Sequence, residues 1–138
     1  MTPDVERLIT TYLPTIPAVV AITASIGTRT PPTLHDPWVR VTLLDDRPAP
    51  SSPALHLIAG VVQIDCYAGA EHAGGQAQAS SLAHAVRAAL HAMPKAEHDG
   101  AVVIAVKFGG TSRLPDTDLQ PARERYTFDA SVYCHAQP

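Results

Sequence analysis

Apolar positions come in two periods along this chain. Val5, Leu8, Ile9, Tyr12 and Leu13 recur at three- and four-residue spacing and give one helical face. Pro3, Asp4 and Glu6 suit the start of that helix, because proline's missing N–H is no loss there and acids favour the positive end of the dipole. Pro14 ends it. Ala18 to Ser25, rich in Val and Ile, predicts a first strand, and the Gly/Pro-rich segment 26–37 a loop. Trp38 to Leu44 predicts a second strand, with Val39, Val41 and Leu43 alternating against Trp38, Arg40 and Thr42.

The third strand is expected from about Leu55 to Ala68. Val62, Ile64 and Cys66 face a core, while Gln63, Asp65 and Tyr67 face a solvated or subunit-facing surface. Gly60 within it marks a bulge or a close backbone approach. Ala79, Leu82, Ala83, Val86 and Leu90 then form the stripe of a helix over 76–93, closed by Pro94. Ala101 to Phe108 predicts a fourth strand with Val102, Ile104, Val106 and Phe108 on one side; Val103 and Ala105 make the other side apolar too, which places it centrally. Residues 109–124 read as a loop. Arg125 to His135 predicts the last strand, with Tyr126, Phe128, Ala130, Val132 and Cys134 sharing a face. These elements describe an α+β fold: a mostly antiparallel sheet of about five strands with two helices packed on one face.

A length of 138 residues fits one domain over 1–138. Its one expected irregularity is a Pro-rich, mobile arm at 45–54. A formal net charge of −3 gives no basic footprint for phosphate backbones. No apolar run reaches the eighteen or so residues that span a bilayer, and the N-terminus lacks the plan of a signal peptide, so the expected location is the cytoplasm, with no membrane contact. Cys66 and Cys134 each lie inside a strand, and the expected state is two buried thiols.

The chemistry offered by single residues is thin. His84 and His91 are spaced about 10 Å apart along a helix axis, too far to share one ion unaided, and no zinc spacing occurs. Exposed histidines and no metal are the expectation. Asp65 and Asp129, both mid-strand on the face away from the core, are the one carboxylate pair that acid–base chemistry could use; no nucleophile or substrate loop accompanies them. Gly109-Gly110-Thr111-Ser112 lacks the lysine and helix of a phosphate loop. Arg113, Arg123 and Arg125 interleave with Asp116, Asp118 and Glu124, a mixture suited to salt bridges rather than nucleic acid.

The order of segments Asp4-Val5-Glu6-Arg7-Leu8-Ile9, Val39-Arg40-Val41-Thr42, Val62-Gln63-Ile64-Asp65-Cys66-Tyr67, Leu82 to Leu90 and Arg125 to Val132 resembles the tail terminator proteins of long-tailed (siphovirus-type) bacteriophages. The resemblance implies a structural, non-catalytic protein without cofactors. It implies a hexameric ring that caps the tail tube at its head-proximal end in the virion, stops polymerisation and supplies the head-joining surface. Its implied partners are further copies of itself, the tail tube protein and the neck proteins, with DNA only passing through the lumen. Candidate contact residues are Asp45, Asp46, Arg47, Asp65, Arg113, Asp116, Asp118, Arg123 and Asp129. The alternatives are another neck component (a head–tail connector or tail completion protein), a small cytoplasmic α/β enzyme using Asp65, Asp129 and nearby histidines, and a host regulatory or ligand-binding domain.

Overall fold

The computed structural model describes residues 3–30, 37–48, 57–69, 74–94, 97–98, 100–119 and 122–136. Helix α1 spans Val5–Tyr12 and is capped by Asp4, whose carboxylate accepts the Arg7 N–H at 3.0 Å. That cap satisfies one of the orphan donors of the first turn. Pro14 converts the end into a short 3-10 turn, Leu13–Thr15. Val5, Leu8, Ile9 and Leu13 are buried, as the spacing requires.

The expected strand at Ala18–Ser25 is not there. Pro17–Val20 is a one-turn helix, α2, in which the Ile16 and Pro17 carbonyls accept from Val20 and Ala21. Pro17 occupies the first helical position, where its fixed φ favours a turn, and this outweighs the β-propensity of Val19 and Val20. Strand β1 is only Ser25–Gly27 and pairs parallel with the next strand, so the sheet is mixed rather than purely antiparallel.

Strand β2 (Trp38–Pro48) pairs antiparallel with β3 (Ile58–Tyr67), and β3 with the last strand, β7 (Arg125–Ala136). Asp45 to Pro48 therefore belong to a ladder with Ile58 to Val61 rather than to a free arm. The remainder of the expected arm, 49–54, lies outside the described residues, as do residues 31–36 of the expected loop. Helix α3 (Gly75–His91) follows β3, with Gly74 as N-cap at φ 78°, a backbone state that disfavours a side chain. Then come β4 (Glu97–His98), β5 (Ala101–Phe108) and β6 (Ser112–Arg113). The sheet order is β1-β2-β3-β7-β5-β4, with β6 beside β7.

Two corrections follow from that order. β3 and β7 are central; β5 lies near the margin, with only the two-residue β4 beyond it. The register of β5 also shifts between Val103 and Ala105, so Val103 faces Cys134 and Val106 faces Val132. The bulge sets Val106 and Phe108 on the core side with Ala101 and Val103, and leaves Ile104 47% exposed. Strict alternation assigned these residues to the opposite faces.

One core joins the elements. Val5, Leu8, Ile9 and Leu13 from the N-terminal helical segment meet Leu82, Ala83, Val86 and Leu90 of α3 and the strand residues Val39, Val41, Val62, Ile64, Cys66, Phe128, Ala130 and Val132. Burying a Leu, Ile or Val side chain contributes about 1.5–3 kcal/mol. Tyr12 ties the two helices further, its hydroxyl donating to the Ala89 carbonyl at 2.7 Å. Gly60 is a close approach: a Cβ there would lie 2.5 Å from Cγ2 of Val5. Cys66 and Cys134 are free and buried among apolar groups. Burial raises both thiol pKa values, that of Cys134 to about 11, so both are protonated at neutral pH. No helix is long and apolar enough to cross a membrane among the described residues.

Candidate assembly interface

The helices cover one sheet face. On the other, Asp65 is the centre of a charged cluster and is 0% exposed, whereas alternation along β3 placed it on a solvated surface. Pairing of β2 with β3 sets Arg40 directly across from Asp65. The Arg40 guanidinium donates to Asp65 Oδ2 at 3.2 Å and to the Thr30 hydroxyl at 3.0 Å. Gln63 donates its amide to both carboxylate oxygens, at 3.1 and 3.2 Å. Arg125, from the start of β7, reaches Asp65 at 3.9 Å and Asp116 at 4.0 Å. An isolated carboxylate could not stay charged at this depth; two guanidiniums and an amide make the burial tolerable.

An aromatic floor lies beside the acid. Trp38 and Tyr67 stack at 4.4 Å with ring planes 12° apart, and the Arg40 and Arg125 guanidiniums stand 5.5 and 5.8 Å from the Tyr67 ring centre. The Tyr67 hydroxyl donates to Asp116 at 3.4 Å. Burial raises the Tyr67 pKa, against the opposing pull of the Arg125 hydrogen bond. For Arg125, burial acts to lower the pKa, and Tyr67, Asp65 and Asp116 more than reverse this, so the group is held firmly cationic.

The described parts of the segment read from sequence as a loop over 109–124, residues 109–119 and 122–124, are folded back onto β7. Ser112 and Arg113 pair with Thr127 and Tyr126, and Asp116 and Arg123 exchange backbone hydrogen bonds at 2.8 and 3.1 Å. Leu114 and Arg125 are linked twice: the Leu114 N–H donates to the Arg125 carbonyl at 2.9 Å, and the Arg125 side chain donates to the Leu114 carbonyl at 2.8 Å. Arg113 grips Glu124 with two bonds of 2.9 and 2.7 Å. The hydrogen bond to Glu124 raises the Arg113 pKa, and the same contact lowers that of Glu124. At its other end the segment is pinned by Arg87, which donates to the Gly109 carbonyl at 2.8 Å and lies 4.7 Å above the Phe108 ring.

Of the residues singled out in the sequence, Asp65 and Asp116 come together through Arg125 and Tyr67. Arg123 is buried at 4% exposure beside them in the folded-back segment. Arg113 and Asp118 are exposed on its outside. Asp45, Asp46 and Arg47 lie at the far end of β2, away from this cluster. Asp129 is exposed and sits opposite Gln63, two ladder pairs from Asp65 and therefore on the same face. The Asp65 carboxylate that an enzyme would need is enclosed by its ion pairs. His84 and His91 are exposed, His84 turned back to the Ser80 carbonyl at 2.8 Å. Among the described residues no group of three His, Cys, Asp or Glu side chains is placed to hold a metal.

Arg40, Gln63, Tyr67 and Trp38 were missed as partners of Asp65. The signal was present: the non-core faces of the two strands read Trp38, Arg40, Thr42 and Gln63, Asp65, Tyr67, and antiparallel pairing of adjacent strands brings arginine and aspartate together.

No curated protein matches the chain in sequence. Among solved structures, a chain from the virion of a native gene transfer agent (GTA) particle has the same fold: TM-score 0.67 at 15% identity, covering 95% of this chain and 94% of that one. The sequence pattern of the family described as tail completion protein gp17 matches residues 7–133, nearly the whole chain. The chain belongs to the tail completion protein gp17 family, structural proteins of the phage tail.

Proposed function

We propose that the protein is the subunit of a hexameric ring at the head-proximal end of a phage tail, where it caps the tube, stops its polymerisation and offers the surface that joins the head. The observation that carries this reading is the family match over residues 7–133. The fold supports it, because among the described residues the helices cover one sheet face only, and the other face is open beyond the buried Trp38–Tyr67–Asp65 cluster. That face presents Thr42, Gln63, Lys107, Asp129 and Ser131, a polar surface compatible with a lumen through which DNA passes. A net charge of −3 suits a subunit past which DNA must slide without being held. The tail tube protein and the neck proteins are the partners, and the chemistry is recognition. Asp46, Arg113, Asp118 and Asp129, exposed and charged, are the contact candidates that remain accessible.

The second reading, completion of the neck without a role in length, is favoured by the family's description as a tail completion protein. Electron microscopy of tails assembled without this chain separates the two. A terminator leaves over-long tubes and unjoined heads, and supplying the chain restores a single length. Tubes of normal length that fail to join heads replace termination with the neck role.

A further inference from the structure

The Asp65 cluster holds two buried donors whose hydrogen bonds the protein does not make. The Trp38 indole N–H and the Arg40 Nε–H are both buried and find no acceptor among the described residues. Trp38 and Arg40 alternate onto one face of β2, and both lie against the Tyr67 ring, the indole 4.4 Å and the guanidinium 5.5 Å from its centre. The other two nitrogens of Arg40 are committed, one to Thr30 and one to Asp65. The side chain therefore cannot turn Nε toward a new acceptor without giving up a bond already made. A buried N–H without a partner forfeits the bond it had to bulk water, and folded proteins rarely leave one so.

The ion pairs of the same cluster are long. Arg125 stands 3.9 Å from Asp65 Oδ1 and 4.0 Å from Asp116 Oδ2, and the Tyr67 hydroxyl is 3.4 Å from both Asp116 Oδ2 and the Arg125 guanidinium. On the exposed side of the same folded-back segment, Arg113 closes on Glu124 at 2.7 and 2.9 Å. The chain thus makes short contacts where a pair faces solvent, and spaced ones around the fully enclosed Asp65 carboxylate. A polar separation of that size is where a bridging water sits.

What fills the gap is fixed by what it must do. It accepts from Trp38 and Arg40, and it donates to a carboxylate. An anion would accept but be repelled by Asp65 and Asp116; a metal cation cannot accept at all. Water does both, and the two to four polar partners it needs are present. Asp65 has room for it: its hydrogen bonds come from Arg40 and from the Gln63 amide, fewer than the roughly four that a carboxylate can accept.

We propose that the Asp65 cluster is a site for enclosed water, which accepts the Trp38 and Arg40 protons and links Arg125 to the Asp65 and Asp116 carboxylates. Trp38 is the only tryptophan of the chain, so its indole N–H gives a single resonance in the full-length, nitrogen-15-labelled protein. That resonance is expected to show cross-relaxation with water, of opposite sign in the laboratory and rotating frames, as for a water held longer than the molecule tumbles. The signal is expected to persist in Tyr67→Phe, which keeps the ring and removes the one hydroxyl that could relay it from solvent. A high-resolution crystal structure of the wild-type chain is the second measurement, and it decides if Tyr67→Phe does not fold. Density for water within hydrogen-bond reach of both Trp38 Nε1 and Arg40 Nε is the expected result. An indole N–H without cross-relaxation, a signal lost in Tyr67→Phe, or an ion or a protein carbonyl in place of the water overturns the proposal.

Discussion

Gly60→Val is expected to destabilise the protein by about 3 kcal/mol, seen as a fall in Tm of roughly 10 °C. The cause is geometric. A Cβ at Gly60 would lie 2.5 Å from Cγ2, 2.9 Å from Cβ and 3.0 Å from Cγ1 of Val5, the first two closer than real Cβ atoms come to a neighbour. Val5 opens α1 and is 1% exposed, so it cannot swing into solvent; relief requires lifting the first turn of the helix off the sheet. Gly60→Ala carries the same clash without the two further methyls and is expected to lose less. Val5→Ala removes two of the three close atoms, so in the Gly60→Ala background it should recover part of the loss. That recovery is a coupling which distant sites do not show. A wild-type Tm for Gly60→Val would mean that α1 does not seat on β3 as described.

Asp65→Ala has the second large expected effect, a loss of about 3 kcal/mol in denaturant unfolding. Removing the acid leaves Arg40 and Arg125 beside each other and beside the buried Trp38–Tyr67 stack, with the two Gln63 hydrogen bonds unmade. Both arginines keep partial access to water and can rehydrate, which sets the figure at the low end for a broken buried pair. Asp65→Asn retains an acceptor for Gln63 and is expected to lose less than the alanine variant. Limited proteolysis adds a second readout, because Arg125 holds the folded-back segment through Asp116 and Leu114. Cleavage within 112–124 is expected to accelerate in Asp65→Ala. Unchanged stability and unchanged cleavage would mean that the cluster is solvated and ties nothing down.

The long periodic elements were legible in the sequence for physical reasons. The stripes of α1 and α3 and the alternation of β3 and β7 each have many residues voting for one face, and the same residues form the core. Gly60 was legible as either a bulge or a close approach, the two usual reasons for a glycine inside a β-branched run, and it is the second. What misled was short or interrupted. Val19 and Val20 carry strand composition, but the four residues that begin with Pro17 close a helical turn instead. In β5 a single bulge at Ile104 inverts the face of everything after it, and no composition signal marks a bulge that lacks glycine. The segment 109–124 looked like a loop because its structure comes from backbone pairing with β7 and from Arg125, both long-range. For the site, alternation correctly placed Asp65 away from the helices; its burial depended on Arg40, Arg125 and the returning segment, which alternation does not see. The charged residues grouped from sequence as contacts thus divide, Asp65, Asp116 and Arg123 inside and Arg113, Asp118 and Asp129 outside.

The most direct measurement is the solution mass of the purified protein by light scattering over a wide concentration range. A subunit of a closed terminator ring gives a shift to a hexamer with no larger species, because head-to-tail closure leaves no free patch. A strict dimer at every concentration contradicts it, since a two-fold contact uses the same patch twice and cannot build a ring that caps a tube.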